Sequence, residues 1–218
     1  MRIVLIGGGG HASDILGAFE ALSRAEEIIG IVDDREIDQY RFAHRGVRQI
    51  GDLSDLEHID ASHYLIALGF SVDRHSVYKR IAHLGREPAT VVHPKSDIPR
   101  SVPIGKGTVI LSGATTSPMA SIGEHVYLSH GCLVGHDCRI EAFSTILPGA
   151  VVSGDTVLGE ACQIGSNATV REKIKIGPRA VVGAGAVVLK DVAADQTVVG
   201  NPARVLATAR QSLPPGSR

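Results

Sequence analysis

The stretch HGCLVGHDC, residues 130 to 138, concentrates side chains that could do chemistry. It holds two histidines, two cysteines and an aspartate within nine positions. Cys132, His136 and Cys138 are ligands that suit zinc, and a histidine can also carry a proton near neutral pH. The direction in which each side chain points decides between a metal site and a catalytic site, and the periodicity of the surrounding chain sets that direction.

A six-residue repeat runs from Ile104 to Val188. Every sixth residue in this range is Ile, Leu or Val, except for Thr116. The next residue is glycine in seven of the fifteen units, and the residue four places on is Ala, Cys, Ser or Thr in twelve of them. The glycine suits a tight corner that needs an unusual backbone angle, and the small residue suits a narrow interior. Three such units predict an 18-residue turn of a triangular β-helix.

The register of the repeat assigns a direction to the candidate ligands. Cys132, Cys138 and Cys162 all occupy the small-residue position, where cysteine acts as a small buried hydrophobe. Cys132 and Cys138 are one side of the coil apart, so they meet different walls rather than a common metal. His136 follows Val134 by two residues, falls in the corner segment and is predicted to face outward.

The first 95 residues have a different pattern, in which short apolar runs alternate with helical periodicity. The predicted strands are residues 2–6, 28–32, 63–68 and 89–92, and the predicted helices are residues 11–24 and 72–84. This alternation indicates a parallel sheet with helices packed on it.

The turn after the first predicted strand, VLIGGGGHASDI, fits a phosphate-binding motif. Gly7, Gly9 and Ala12 satisfy G-x-G-x-x-A, in which backbone N–H groups at a helix N-terminus favour an anion. Asp33 and Asp34 end the next strand, where an acidic residue can meet a ribose or a base. A dinucleotide needs two βαβαβ halves, and about 95 residues supply one half, so a single nucleotide fits better than NAD.

Composition limits the functional classes. The 218 residues are 44% hydrophobic with a formal net charge of −1, which gives no electrostatic reason to expect a nucleic acid partner. We expect no membrane span, because no apolar run reaches about 18 residues, and no signal peptide, because the first apolar stretch is too short. Three cysteines without a disulfide spacing indicate a reduced, cytoplasmic protein.

The chain resembles the left-handed β-helix acyltransferases. More narrowly, it resembles the bacterial sugar acetyltransferases with an N-terminal nucleotide-binding domain, a group that makes surface polysaccharides and includes N-acetyltransferases for nucleotide-linked amino sugars and sialic-acid O-acetyltransferase-like proteins. The resemblance rests on the hexapeptide repeat together with GGGGHA, VDD, VGHDC and VVGNPARV. It implies an α/β Rossmann-like half domain at 1–95, an all-β left-handed parallel β-helix at 96–200 and a tail at 201–218.

The resemblance also implies an activity and a catalytic base. The chain is expected to form a homotrimer and to use acetyl-CoA to acetylate the amine of an NDP-linked amino sugar. His136 matches the general base of the family, and Asp137 matches the acidic residue that supports or orients it. His125 and His130 lie outside the match and are expected to be wall or subunit-contact residues.

Ligand-binding residues follow from the same resemblance. On the acceptor side, Gly9, Gly10 and His11 match contacts to the diphosphate or sugar, Asp33 and Asp34 match contacts to the base or ribose, and Gly69 and Arg74 match a stretch that lines the same pocket. Arg74 could pair with a phosphate or form a surface salt bridge.

The acyl-donor side is expected to lie along the coil, in the groove between neighbouring subunits. Gly154, Gly165, Gly183 and Pro202 match positions along the coenzyme, with Arg204 beside Pro202. Two residues depart from the family pattern: Thr145 replaces a second histidine near the thioester and could supply a hydroxyl there, and Glu141 replaces a corner glycine, which suggests an altered turn.

Three other functions stay open at this point. The same base could serve a sugar hydroxyl, as in sialic-acid O-acetylation. A zinc lyase resembling γ-class carbonic anhydrase would use histidines across a subunit boundary, and His125 and His130 have a suggestive spacing of five. A non-catalytic nucleotide-sugar binder would bind the acceptor without releasing CoA.

Overall fold

A computed structural model describes residues 1–206, in which a parallel α/β sheet is followed by a coil of short parallel strands. Only residues 201–206 of the predicted tail fall within this range. The LPPGSR stretch, residues 213–218, lies outside the described residues.

Five parallel strands form the N-terminal sheet in the order β3-β2-β1-β4-β5. The strands are β1 (Ile3–Ile6), β2 (Ile28–Val32), β3 (Gln49–Gly51), β4 (His63–Ile66) and β5 (Glu87–Pro88). The helices are α1 (Gly10–Ala21), α2 (Tyr40–Ala43) and α3 (Ser71–Ile81), with short 3₁₀ turns at Ala25–Glu27, Asp55–His58 and Ala82–Leu84. All four residues of β1 are buried, as a continuous apolar run in a helix-covered parallel sheet requires.

The coil has three walls, built from parallel strands that pair at 18-residue intervals except for the last pair, in which Val181 pairs with Thr197 after 16 residues. The first wall contains Val91–Val92, Val109–Ile110, Tyr127–Leu128, Thr145–Ile146, Gln163–Ile164, Val181–Val182, Thr197–Val199 and the antiparallel Arg204–Val205. The second wall contains Thr115–Thr116, Leu133–Val134, Val151–Val152, Thr169–Val170 and Val187–Val188. The third wall contains Ser121–Ile122, Arg139–Ile140, Val157–Leu158 and Lys175–Ile176. The fold class is the left-handed parallel β-helix that the family resemblance implied.

Aliphatic and small residues of the repeat fill the interior of the coil, as the register predicted. Val134, Ile140 and Val152 are at most 1% exposed and belong to one continuous core with the three cysteines. Cys132, Cys138 and Cys162 are free and buried, which confirms their position as small wall residues. Burial raises the pKa of the Cys132 and Cys162 thiols to about 12.

The explanation for the corner glycines was wrong. The left-handed backbone angle occurs three residues after the aliphatic position, for example at Asp137 (φ 59°) and Asn167 (φ 55°). The glycines directly after the aliphatic residue are required by space instead. A Cβ on Gly135 would lie 2.6 Å from the Gly154 backbone nitrogen in the next turn, and one on Gly123 would lie 2.8 Å from the Ala142 nitrogen.

The two parts of the chain share a core, which changes the interpretation of the fourth predicted strand. Val91–Val92 pairs with Val109–Ile110 in the first wall rather than with the N-terminal sheet. The coil therefore begins before the predicted boundary at residue 95. Ile15 of α1 and Tyr127 of the first wall belong to the same apolar cluster, so the N-terminal sheet and the coil meet at a buried seam.

Candidate active site

The edge between the second and third walls presents the His136 imidazole to the outside. The side chain is 69% exposed, as the register predicted. Its Nδ1 lies 2.7 Å from Asp137 Oδ2. Because a carboxylate can only accept, Nδ1 carries the proton and donates it, which leaves the lone pair on Nε2 free to act as a base.

One turn further along the coil, Gly154 leaves open the space beside this imidazole. A Cβ on Gly154 would lie 2.6 Å from both Cε1 and Nε2 of His136. The backbone of Asp155 also donates to the His136 carbonyl at 2.8 Å. The residue pair predicted as base and acetyl-group contact therefore meets at the basic nitrogen.

The turn at Glu141 is regular, contrary to the expectation. The Glu141 N–H donates to Leu158 O at 2.9 Å, and Ile140 pairs with Leu158 in the same register as the other strands of its wall. The Glu141 carboxylate points along the surface to Arg139, 2.9 Å away. A side chain in place of glycine is accommodated here without a change in the coil.

A cavity of about 270 Å³ opens at the carboxyl ends of β1, β2 and β4. It lies where strand order reverses around β1, the usual position of a ligand in such sheets. Asp33 and Asp34 line it together with Gly7. Asp33 accepts a hydrogen bond from the Gly8 N–H (2.8 Å), and Asp34 accepts one from the Leu53 N–H (3.0 Å), so the two carboxylates also shape the cavity wall.

The phosphate turn has the local features that the motif predicted. Gly7 has φ +102°, and Gly9 has open space where a Cβ would be. Helix α1 begins at Gly10 without a side-chain cap and without an acidic residue in its first turn. The free N–H groups at its start therefore face an open approach, which suits an anion.

His11 lies at the seam between the phosphate turn and the coil. Its ring meets the Tyr127 ring edge-on, with 4.7 Å between centroids, and a Cβ on Gly69 would lie 2.5 Å from His11 Cε1. Burial lowers the pKa of His11. Gly69 is thus adjacent to the phosphate turn because it makes room for His11, whereas the neighbouring Leu68 is the residue of this stretch that lines the cavity.

Arg74 has neither of its predicted roles. It is 2% exposed, and burial lowers the pKa of its guanidinium to about 10. Its hydrogen bonds go to the carbonyls of Leu68 (3.1 Å), Gly69 (3.2 Å), His125 (3.3 Å), Phe143 (2.7 Å) and Ser144 (3.2 Å) and to the Thr145 hydroxyl (2.8 Å). A guanidinium enclosed in this way cannot reach a phosphate in the cavity, and it forms no surface salt bridge.

The same contact corrects the prediction for Thr145. Its side chain is fully buried, and its hydroxyl accepts from Arg74. It lies on the first wall under the N-terminal sheet, whereas His136 lies on the edge between the other two walls. Thr145 therefore does not replace the missing second histidine at the thioester.

The other two coil histidines also contact the N-terminal part of the chain. His125 is 3% exposed and stacks on Phe143 at 4.9 Å, with Tyr78 of α3 at the same distance. His130 Nδ1 lies 2.9 Å from Ser112 Oγ, and its Nε2 lies 3.8 Å from Asp14 of α1. Within residues 1–206, no group of three His, Cys, Asp or Glu side chains is arranged to hold a metal ion.

Comparison with known proteins identifies the family. Residues 2–81 match the PglD N-terminal domain, and residues 155–190 match the bacterial transferase hexapeptide (six repeats). The GDP-perosamine N-acetyltransferase of Escherichia coli O157:H7 is 34% identical over 157 residues, which cover 69% of this chain and 71% of that protein.

Solved structures agree over nearly the whole chain. A histidine-to-asparagine variant of perosamine N-acetyltransferase from Caulobacter crescentus, in complex with CoA and GDP-perosamine, superposes with a TM-score of 0.87 at 27% identity and covers 95% of this chain and 98% of that one. The acetyltransferase domain of PglB from Neisseria gonorrhoeae FA1090 gives 0.85 at 31% identity, covering 94% and 100%.

The chain belongs to the hexapeptide-repeat sugar acetyltransferases.

The donor positions predicted for this acetyltransferase lie on more than one edge of the coil. Gly165 and Gly183 follow strands of the first wall, so they lie on the edge between the first and second walls. Gly154 lies with His136 on the next edge. A donor that contacts both sets must reach across a wall or lie between two copies of the acetyltransferase.

Pro202 lies at the C-terminal end of the coil in a cavity of about 410 Å³. Lys190 and Arg204 line the same cavity. Lys190 also falls on the His136 edge, three 18-residue turns after it. The cavity and the base therefore lie along one side of the coil, with Gly154 between them.

Sequence reasoning missed the residues of the seam. Arg74 precedes Val77, Tyr78 and Ile81 by three, four and seven residues, so helical periodicity already places it on the apolar face of α3. The coil carries a signal for the covered wall. The outward positions of the first wall include Val109, Tyr127 and Thr145, whereas those of the third wall include Arg139 and Lys175. An uncharged outward face indicates a covered wall.

Proposed function

We propose that this acetyltransferase transfers the acetyl group of acetyl-CoA to the amine of a nucleotide-linked amino sugar used for surface polysaccharides. The observation that carries the proposal is the exposed His136–Asp137 pair with the side-chain-free Gly154 at its basic nitrogen. A cavity of mononucleotide size in the same chain supports the choice of acceptor. No helix within residues 1–206 has the length and apolar character of a membrane span.

His136 acts as the general base. Its Nε2 takes a proton from the acceptor amine as the amine nitrogen attacks the thioester carbonyl carbon. Asp137 holds the other ring nitrogen in the protonated form and stabilises the imidazolium that results. The carbon–sulfur bond then breaks, and the proton on His136 goes to the departing thiolate, so no covalent acyl-enzyme forms.

Gly154 leaves room for the reacting groups and brings backbone close to them. In the family that the chain resembles, a backbone N–H at this position lies near the acetyl group. Such an N–H stabilises the oxyanion of the tetrahedral intermediate. A side chain here would fill the space next to Nε2 that the amine needs.

The nucleotide is expected in the 270 Å³ cavity, with its diphosphate over the start of α1. Asp33 and Asp34 can accept hydrogen bonds from a ribose or a base. Gly9 and Gly10 can present backbone N–H groups to the diphosphate. The Caulobacter and Escherichia relatives are named for GDP-perosamine, so GDP-linked amino sugars are the first acceptors to test.

The donor is expected along the His136 edge. From His136 to Lys190 there are three strand spacings, or about 14 Å at about 4.8 Å each. An extended pantetheine arm spans such a distance. Lys190 and Arg204 place positive charge where the phosphates of CoA would lie, beside Pro202.

Assembly is expected to be trimeric and the location cytoplasmic. The second wall presents Leu133, Val151 and Val187 outward, and Leu133 is 41% exposed. An apolar wall beside the catalytic edge suits contact with a neighbouring copy. The three free, buried cysteines need no oxidising compartment.

The test is an assay for free thiol with acetyl-CoA and a panel of acceptors. The panel contains GDP-, UDP- and dTDP-linked amino sugars, together with sialic acid as a hydroxyl acceptor. Thiol release with an amino sugar and none with sialic acid is the expected result. Release with sialic acid alone would replace the proposal by O-acetylation, and ligand binding without release under any condition would make the protein a nucleotide-sugar binder.

A further inference from the structure

Arg74 joins the N-terminal part of the chain to the coil at a high cost in free energy. It is a fully enclosed charge, and five of its six acceptors are backbone carbonyls rather than a carboxylate. Burying a charge without a counter-ion is costly. An apolar side chain in its place would leave several of these carbonyls without a donor, so the arginine ties particular backbone atoms on both sides of the seam rather than adding simple adhesion.

The hydrogen bonds of this guanidinium are divided between the two sides of the seam. Nη1 donates to Leu68 and Gly69 in the loop between β4 and α3. Nε and Nη2 donate to residues of the coil, including the Thr145 hydroxyl. Because the guanidinium is planar and rigid, it fixes the angle between the loop and the coil as well as the distance between them.

The loop that Arg74 holds is in contact with the phosphate turn. His11 lies against Gly69 on one side and against the Tyr127 ring of the first wall on the other. Leu68 lines the nucleotide cavity. Any movement of this loop relative to the coil therefore moves the phosphate turn and one wall of the cavity.

The coil is a rigid reference for the catalytic edge. Its strands pair without interruption from Val91 to Val188, so the edge that carries His136 has a fixed place relative to the first wall. We propose that Arg74 is a positioning residue for acetyl transfer: it fixes the place at which the bound nucleotide sugar presents its amine relative to the base. This inference rests on the proposed function.

The first experiment compares Arg74→Lys with the wild-type enzyme. Lysine keeps the positive charge but has one nitrogen in place of the guanidinium, so it cannot hold both sides of the seam. Misplacement of a reacting group by about 1 Å can cost roughly 100-fold, so kcat at saturating substrates should fall about 10- to 100-fold. The KM for acetyl-CoA and the Kd for GDP should stay within about threefold, because the donor edge and the cavity keep their own residues.

Two matched controls separate positioning from folding. Lys79 is exposed on the same helix, so Lys79→Arg should leave kcat, KM and Kd unchanged. Thr145→Val removes one acceptor and keeps the shape of the side chain, and it should lower kcat by a few fold, whereas Thr145→Ser should restore it. Melting temperatures of all variants show how much of each loss reflects unfolding.

Wild-type kcat in both Arg74→Lys and Thr145→Val would overturn the inference, and so would a loss that only follows the unfolded fraction. If the wild-type enzyme released no thiol with any acceptor, the proposed function would fail separately. Amide hydrogen exchange then tests whether Arg74 holds the loop and the phosphate turn against the coil: Arg74→Lys should exchange faster than wild type at residues 10–13 and 68–70. Equal exchange in the two proteins would show that Arg74 does not hold them in place.

Discussion

The three histidines of the hexapeptide repeat occupy three environments, and these environments indicate their roles. His136 is exposed and bonded to a carboxylate. His125 is enclosed by aromatic rings, and His130 is bonded to Ser112. Only the first combines a free basic nitrogen with open space next to it, so we propose that His136 does the chemistry and that the other two serve contact between the two parts of the chain.

Removal of the base should abolish most of the activity without unfolding the protein. His136→Ala is expected to lower kcat by roughly 10²–10⁴-fold, the usual contribution of a general base. The melting temperature should change little, because the side chain is 69% exposed. Binding of GDP, measured by calorimetry, should also survive, because the cavity proposed for the nucleotide is lined by residues 6–77 of the N-terminal part and not by His136.

Asp137→Asn should act in the same direction with a smaller loss. Asparagine tolerates the left-handed backbone angle at this position (φ 59°), but it stabilises an imidazolium less than a carboxylate does. His130→Ala is the control and should be mild. A large loss of activity in His130→Ala, together with near-normal activity in His136→Ala, would place the base on the edge between the first and second walls.

His125 should make the protein less stable in acid. Burial, with a smaller contribution from Arg74, lowers the pKa of His125 from 6.5 to about 4. The unfolded chain then binds the proton more readily than the folded one, so stability from this group is complete above pH 6.5 and is lost as the pH falls towards 4. The expected loss is about 3 kcal/mol between pH 7 and pH 4.

The measurement is urea unfolding of the wild type and of His125→Phe at several pH values. Phenylalanine keeps the stack and does not titrate, and Phe143 already occupies the equivalent left-handed position one turn later. The wild type should lose more stability than the variant across this window. Parallel curves for the two proteins would show that His125 does not cause the acid sensitivity.

At the scale of the element, the hexapeptide unit has a position without room for a side chain and a position with a left-handed backbone angle, and these are different residues. The residue after the aliphatic position approaches the backbone of the next turn, and the residue two places later adopts a left-handed angle. Glycine suits the first position because it has no side chain. Glycine, asparagine and aspartate adopt the left-handed angle most readily, although Phe143 and Lys173 also adopt it in this coil. His136 lies between these two positions and is therefore carried outward on a defined corner.

Gly135→Ala tests the space requirement directly beneath the base. The new Cβ would lie 2.6 Å from the Gly154 nitrogen, so the turns must separate, at a cost of about 1–3 kcal/mol. Activity should fall as well, because Gly154 lies beside His136. Thermal unfolding and the thiol assay measure the two effects.

Gly131→Asn is the matched control for this substitution. A Cβ at Gly131 meets nothing within 4 Å, and its angle of φ +64° is one that asparagine adopts at Asn167 of the same coil. Its stability should stay within about 0.5 kcal/mol of wild type, as for most surface changes. Equal destabilisation by both substitutions would mean that close contact between turns does not explain the cost of a side chain at Gly135.

The repeat made the coil predictable from sequence, because an aliphatic residue occupies the same position in fourteen of the fifteen units. The outward direction of His136 and the burial of Cys132 followed from that register alone. The residue responsible for each corner angle did not, because glycine is compatible with both a left-handed angle and a close approach. The structure distinguishes the two explanations, because the left-handed angle lies at Asp137 whereas Gly135 approaches Gly154 closely.

At the scale of the whole molecule, the seam between the N-terminal part and the coil was not predicted from the sequence. Arg74, Tyr127 and Thr145 are far apart in the chain and carry no local pattern that relates them. They meet because α1 and α3 cover the first wall, which removes those residues from solvent. Predictions that transferred Arg74 to a phosphate and Thr145 to the donor failed because a motif match specifies sequence neighbours and does not specify burial.

The walls of the coil also differ enough to predict how copies assemble. The N-terminal part covers the first wall at Val109, Tyr127 and Thr145, and the third wall presents Arg139 and Lys175. The second wall presents aliphatic residues and two threonines, with Leu133 41% exposed. We expect a trimer of about 69 kDa, three times the 22.9 kDa of one chain, in which the second wall of each copy is covered by a neighbour.

Leu133→Asp should therefore dissociate the trimer, because the carboxylate would be buried without a partner in the assembly and solvated in the free chain. Sedimentation velocity at micromolar concentration should show a shift from trimer to monomer, and thiol release should fall with it if a neighbour completes the donor groove. Val72→Asp is the control: Val72 is 48% exposed on α3 of the N-terminal part, so the same change of side chain should leave the trimer intact. A monomeric wild type would refute both the assembly and the shared groove, whereas a trimer that survives Leu133→Asp would place the contact on another wall.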